Sequence, residues 1–111
     1  MLYFSNLDTY VNIVGGMHLY EPAADLAVAM SLVSGLRDIP IDQKTIAFGE
    51  IGLSGEIRSV PRVEARVNEA ARLGFTKCIL PKASLKQITN CPASIELIGV
   101  STLTQALAYI R

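Results

Sequence analysis

Two rhythms of apolar and polar residues run along this chain. Over residues 10–14 β-branched side chains alternate with polar ones up to Gly15-Gly16, which predicts a strand running into a turn. Pro22 then opens an apolar segment over residues 23–36. Its missing N–H suits the first turn of a helix. A helix that is apolar on almost every side should be central and buried, with Gly35 ending or fraying it. Residues 45–48 and 53–58 read as strands, separated by Gly49-Glu50-Ile51-Gly52 and returning through Ser54-Gly55. Pro61 begins a second, amphipathic helix that closes near Gly74. Residues 77–80 predict a short buried strand halted by Pro81, residues 83–89 one or two helical turns, and residues 95–100 another strand. Thr102 can cap a final helix over residues 103–109 with its hydroxyl.

Together these elements predict an α+β fold of mixed strands and packed helices in a single compact domain, with no repeat, linker or low-complexity segment. The 111 residues suffice for a core without disulfides. Half of them are hydrophobic, and the mean hydropathy of +0.37 is high for so small a domain. Part of the apolar surface is therefore expected to lie against neighbouring subunits. Ten basic residues balance ten acidic ones, so no global field draws the chain to nucleic acid or to a membrane; only a local basic face could do so.

The longest apolar stretch, residues 26–33, is interrupted by Ser31 and falls short of the ~18 residues of a membrane span. No signal peptide is recognisable, so a cytoplasmic location without a membrane partner is expected. Cys78 falls in a predicted buried strand, Cys91 precedes Pro92, and there is no Cys-x-x-Cys pair, which reads as two structural thiols in a reducing compartment. With His18 the single histidine, no metal site is expected.

Three segments are more specific. They are Val11-Asn12-Ile13-Val14-Gly15-Gly16 followed by Glu21-Pro22-Ala23-Ala24-Asp25-Leu26-Ala27; then Gly49-Glu50-Ile51-Gly52-Leu53-Ser54-Gly55-Glu56-Ile57; and, after Arg72 and Gly74, Lys77-Cys78-Ile79-Leu80-Pro81. In that order and spacing they resemble the C-terminal proteolytic domain of Lon, and most closely the Lon-like domain that ends the RadA (Sms) family of bacterial DNA repair proteins. The resemblance covers residues 10–111 as the Lon protease-like domain and leaves residues 1–9 as a junction with a preceding ATPase domain.

Active Lon proteases read Gly-Pro-Ser-Ala-Gly at the first segment. Here Pro22 and Ala24 match, Ala23 stands in place of the nucleophile, and Glu21 and Asp25 replace the two glycines. Counting on from Gly49-Glu50-Ile51 places the family's catalytic lysine at Glu64 and its neighbouring basic residue at Arg66. Both members of the dyad are thus absent, and no catalytic residue is expected.

A serine–lysine dyad needs a hydroxyl to attack the carbonyl and a neutral amine to take its proton. A methyl group cannot attack. Glu64 could act as a base, but only toward a water that no metal-ligand cluster activates. Backbone donors alone leave an advantage of roughly 10³ over water. Ser31, Ser34, Ser54 and Ser59 have no lysine or histidine at a defensible spacing and read as helix or turn serines. Activity as an ATP-dependent serine peptidase is the reading that overall similarity invites and that Ala23 and Glu64 oppose. Glu21 and Asp25 favour the helix dipole and read as capping charges rather than a new ligand site.

The chain has no Gly-x-x-x-x-Gly-Lys-[Ser/Thr] phosphate loop and no set of zinc-ligand cysteines. The resemblance implies that ATP, Mg²⁺ and Zn²⁺ belong to a preceding part of a longer DNA-dependent ATPase, of which this chain is an excised C-terminal fragment, and that the whole forms a hexameric ring. Arg58, Arg62 and Arg66, with Lys82 and Lys86 after Pro81, are the candidate DNA contacts. Arg62 and Arg66 are one helical turn apart, as are Lys82 and Lys86 if that segment is helical. Glu64 and Glu69 share the helix, however, so a solvated, salt-bridged face explains the same pattern. A module that binds a protein or small regulator and never touches DNA is the third reading.

Overall fold

The computed structural model describes residues 22–110. The strand expected over residues 10–14, and Glu21 and His18, lie outside them. A 3-10 turn at Pro22–Ala24 leads into helix α1 (Asp25–Arg37). Strand β1 (Thr45–Ala47) is followed by a hairpin of β2 (Glu50–Ile51) and β3 (Ile57–Arg58), then helix α2 (Val63–Arg72). Strand β4 (Lys77–Pro81), a 3-10 segment (Lys82–Gln87), strand β5 (Glu96–Val100) and helix α3 (Leu103–Leu107) complete the α+β domain.

Strands β1, β4 and β5 form a parallel sheet with β4 in the centre. A parallel pair needs a crossover, and the hairpin with α2 supplies it between β1 and β4. Being covered on both faces, β4 carries the unbroken apolar run Cys78-Ile79-Leu80, all at most 1% exposed. The register sets Ala47, Ile79 and Ile98 side by side on one face, where Met30 and Ile41 meet them. On the other face Gly99 lies against Leu85 and Lys82: a Cβ there would come within 2.7 Å of Leu85 Cδ1 and 3.2 Å of Lys82 Cα.

Several boundaries differ from expectation, each for a local reason. Helix α1 runs through Gly35 and stops at Asp38, which takes the left-handed conformation (φ 56°), while the Ser34 hydroxyl donates to the Ile39 carbonyl. One stripe of this helix is open rather than buried, with Leu32 59% and Leu36 88% exposed. The strand expected over residues 53–58 is divided: residues 50–51 and 57–58 pair, and the residues between them form the hairpin tip. Gly55, at φ 82°, makes that turn possible. Helix α2 starts at Val63, because Arg62 is itself left-handed (φ 56°). The last helix ends at Leu107, and Thr102 caps it as expected, its hydroxyl accepting from Gln105 N–H at 3.2 Å.

Candidate functional site

Ala23 is 3% exposed in its 3-10 turn, and that turn is bound to the segment before the hairpin. Gly49 N–H donates to the Ala23 carbonyl (2.9 Å), Leu26 N–H to the Gly49 carbonyl (3.0 Å), and Ile51 N–H to Asp25 Oδ2 (3.1 Å). The backbone groups at the start of α1, which a helix leaves without internal partners, are thus partly spent on residues 49–51. Asp25, in the first turn of α1, adds its carboxylate to this lacing, and the N-cap Ala24 has no side-chain cap. Gly49 allows the close approach, since a Cβ would sit 2.8 Å from Ile57 Cγ2 and 3.3 Å from Leu26 Cδ2. The methyl of Ala23 is part of the hydrophobic core and offers no nucleophile.

Glu64 stands in the first turn of α2 and reaches the loop that follows the 3-10 segment. Its Oε1 accepts from Asn90 N–H (2.7 Å), Thr89 N–H (3.0 Å) and the Thr89 hydroxyl (3.2 Å). The Asn90 N–H, first, and the two Thr89 donors hold this carboxyl below the usual glutamate range against the opposing effect of desolvation. A carboxylate so engaged is an anionic clamp and the reverse of a proton-accepting amine.

The basic residues fall into separate settings. Arg58 ends β3 and is ion-paired with Glu56 (Nη2 to Oε2, 3.1 Å), a pair more than 40% exposed on both sides. Arg66 Nε donates to the Pro61 carbonyl (2.9 Å), bending the side chain toward the start of α2. Arg62 precedes the helix and is exposed, so it does not share a helical face with Arg66 in the way the spacing implies. Lys82 and Lys86 are exposed at opposite ends of a 3-10 segment. At 3.0 residues per turn, positions four apart diverge by about 120°, where an α-helix would bring them together. At the C-terminal end of α2, Glu69 and Arg72 pair with each other, the arginine's Nε donating at 3.0 Å.

Two of the helix serines and one thiol are buried. Ser34 is spent on Ile39, and Ser31 is buried beside Met30 and Ile41. Burial pushes the Cys78 thiol up to about 12, which keeps it protonated and unreactive. Among the described residues no group of three or more His, Cys, Asp and Glu side chains comes together to hold a metal. No helix among them is long and apolar enough to cross a membrane. Sequence reasoning missed Glu56, whose carboxylate accepts from Ser54 N–H (3.0 Å) and from Arg58, and it missed Ser84, fully buried with its hydroxyl unpartnered. The Ser-Gly-Glu run after Leu53 was a turn signal for the first; nothing in the pattern marks the second.

The family described as subunit ChlI of Mg-chelatase matches residues 10–84. The chain belongs to this family. Among curated relatives, the DNA repair protein RadA of Streptococcus pneumoniae (strain ATCC BAA-255 / R6) is 49% identical over 109 residues, which is 98% of this chain and 26% of the relative. The protein of the same name from Halalkalibacterium halodurans is 49% identical over 102 residues, 92% of this chain and 22% of the relative. That from Bacillus subtilis (strain 168) is 46% identical over 106 residues, 96% and 23%. This member of the ChlI family therefore spans about a quarter of the length of the RadA proteins it matches.

Proposed function

We propose that this chain is a Lon-like domain without peptidase chemistry, serving a RadA-type DNA repair protein as an assembly scaffold and as a surface that touches DNA. The observation that carries the loss of chemistry is Ala23: a buried methyl in a turn laced to Gly49 and Ile51, at the position where the resemblance puts a serine. High identity to DNA repair proteins over nearly the whole chain supports the repair setting. In this reading ATP, Mg²⁺ and Zn²⁺ act in other domains of a longer cytoplasmic protein, and the Lon-like domains ring together as a hexamer.

Arg62 precedes α2 and half-buried Arg66 lies within it, while exposed Lys82 and Lys86 lie on the 3-10 segment packed beside that helix, so basic residues stand on neighbouring elements though not on one face. Phosphate contacts release counterions, so binding should weaken steeply with salt. The test is fluorescence anisotropy of labelled single- and double-stranded DNA, comparing the wild type with the Arg62→Ala/Arg66→Ala variant across a salt series. Loss of two phosphate contacts should lower affinity on all sequences and reduce the log–log salt slope by about 1.8 on duplex and about 1.4 on single strands. Equal affinity and slope in the two proteins would remove DNA from this face. A second reading, a protein-binding module that never meets DNA, draws on one observation: Arg58 and Arg66 are already engaged within the chain.

A further inference from the structure

Among the described residues, the outer side of β5 is a free edge of the parallel sheet. Glu96 N–H donates to the Thr76 carbonyl (2.8 Å), on the side of β4. Because the bonding direction alternates along a strand, residues 96, 98 and 100 bond toward β4 and residues 97, 99 and 101 bond away from it. The last of the outward residues is fully engaged: Ser101 N–H donates to Gln105 Oε1 (2.7 Å), and its carbonyl accepts from Ile57 N–H (2.9 Å). At that end the hairpin itself acts as an added strand, with Glu56 opposite Thr102 in an antiparallel bridge. Among the described residues no such partner meets the N–H and C=O groups of Leu97 and Gly99. Proteins blunt a free edge with charge, proline or a bulge, and the stretch Leu97-Ile98-Gly99-Val100 carries none of these.

This edge is walled on two sides. Lys82 lies on the face of the sheet where Gly99 meets Leu85, and α3 lies toward the opposite face, where Ile98 and Tyr109 line one cavity. Lys82, Gly99, Gln105 and Tyr109 together line an opening of about 440 Å³. The backbone of Gly99 is therefore the floor of a groove with a cationic wall and an aromatic one. Lys82 is exposed and makes no ion pair among the described residues, and Tyr109 is 47% exposed. No carboxylate among the described residues lines the groove.

We infer that this groove takes an extended acidic peptide segment of a partner protein, added to β5 as a further strand. The outward N–H and C=O groups of Leu97 and Gly99 are matched by a peptide backbone, which offers both donors and acceptors, and not by a phosphodiester chain, which offers acceptors alone. Main-chain bonds supply the affinity and the two walls the selectivity. Successive side chains of an added strand point to opposite faces. The one that reaches Lys82 is acidic and the one that reaches Tyr109 apolar, so the two stand an odd number of positions apart. The inference is independent of DNA contact at Arg62 and Arg66, neither of which lines the groove.

The probes are short fluorescent peptides of threonine and valine that carry one glutamate and one leucine. Anisotropy should show binding when these two are adjacent, about fivefold weaker binding when one residue separates them, and none when the peptide's backbone amides are N-methylated. Lys82→Glu, at an exposed position, should weaken the adjacent peptide by a similar factor and favour its lysine-for-glutamate counterpart. Amide exchange followed by NMR locates the contact. The Leu97 and Gly99 amides should exchange faster than that of Ile98 in the free chain, and should slow about tenfold at a peptide concentration ten times Kd. Binding that leaves these two amides unslowed, or that ignores N-methylation, residue spacing or Lys82→Glu, overturns the inference. So does binding by none of the peptides, or slowing of the same amides by short single-stranded DNA instead.

Discussion

Ala23 and Glu64 occupy contrasting surroundings. Ala23 is a methyl at 3% exposure within a backbone ladder and belongs to the hydrophobic core. Glu64 is a partly exposed carboxylate on a helix, held by three donors from one loop. Packing governs the first position and hydrogen bonding the second. The contrast teaches that the two positions are held by different parts of the fold, one by residues 49–51 and the other by Thr89 and Asn90. A substitution would therefore meet a different resistance at each place.

The sharpest way to break the contrast is to disturb the ladder. Gly49→Ala should be the most damaging change, lowering unfolding free energy by up to about 3 kcal/mol, because the new methyl meets Ile57 and Leu26 in a packed core. Urea denaturation measures it, and a neutral result would show that the turn is looser than its hydrogen bonds imply. Ala23→Ser should cost roughly 1–2 kcal/mol in the same assay, since it places a hydroxyl in an apolar site. If the serine variant is as stable as the wild type, the site offers that hydroxyl a partner and the packing argument fails.

Glu64→Gln should have the smallest effect and the clearest pH signature. Its carboxyl is held below the ordinary value of 4.5 in the folded chain, so its contribution is fully present above that value and is lost as pH falls through the lower folded one. The gap in melting temperature between wild type and Glu64→Gln should be constant near neutrality and close below about pH 4.5. A gap that widens in acid would mean that the folded protein favours the protonated glutamate.

Periodicity and punctuation placed α1, α2, β1, β4 and β5 within a few residues, because long apolar runs and Gly or Pro boundaries report directly on burial. The class of fold was legible for the same reason. What escaped was governed by contacts between distant residues. The divided strand over residues 53–58 depends on Glu56 bonding back to Ser54 and Gly52, and the late start of α2 depends on the left-handed Arg62. That position 23 carries a methyl was readable from one letter. The clamp at Glu64 was not, since Thr89 and Asn90 lie 25 and 26 residues away. Nor could spacing reveal that Lys82 and Lys86 diverge, because a 3-10 segment and an α-helix carry the same letters.

The most direct test of the central claim is a peptidase assay. A loosely folded fluorescent substrate is incubated with the wild-type chain and with Ala23→Ser, and products are read by mass spectrometry over several hours. The account predicts no cleavage by the wild type above the buffer blank, and none by Ala23→Ser. Cleavage by the wild type that rises in proportion to its concentration, and follows the protein through successive purification steps, would contradict it.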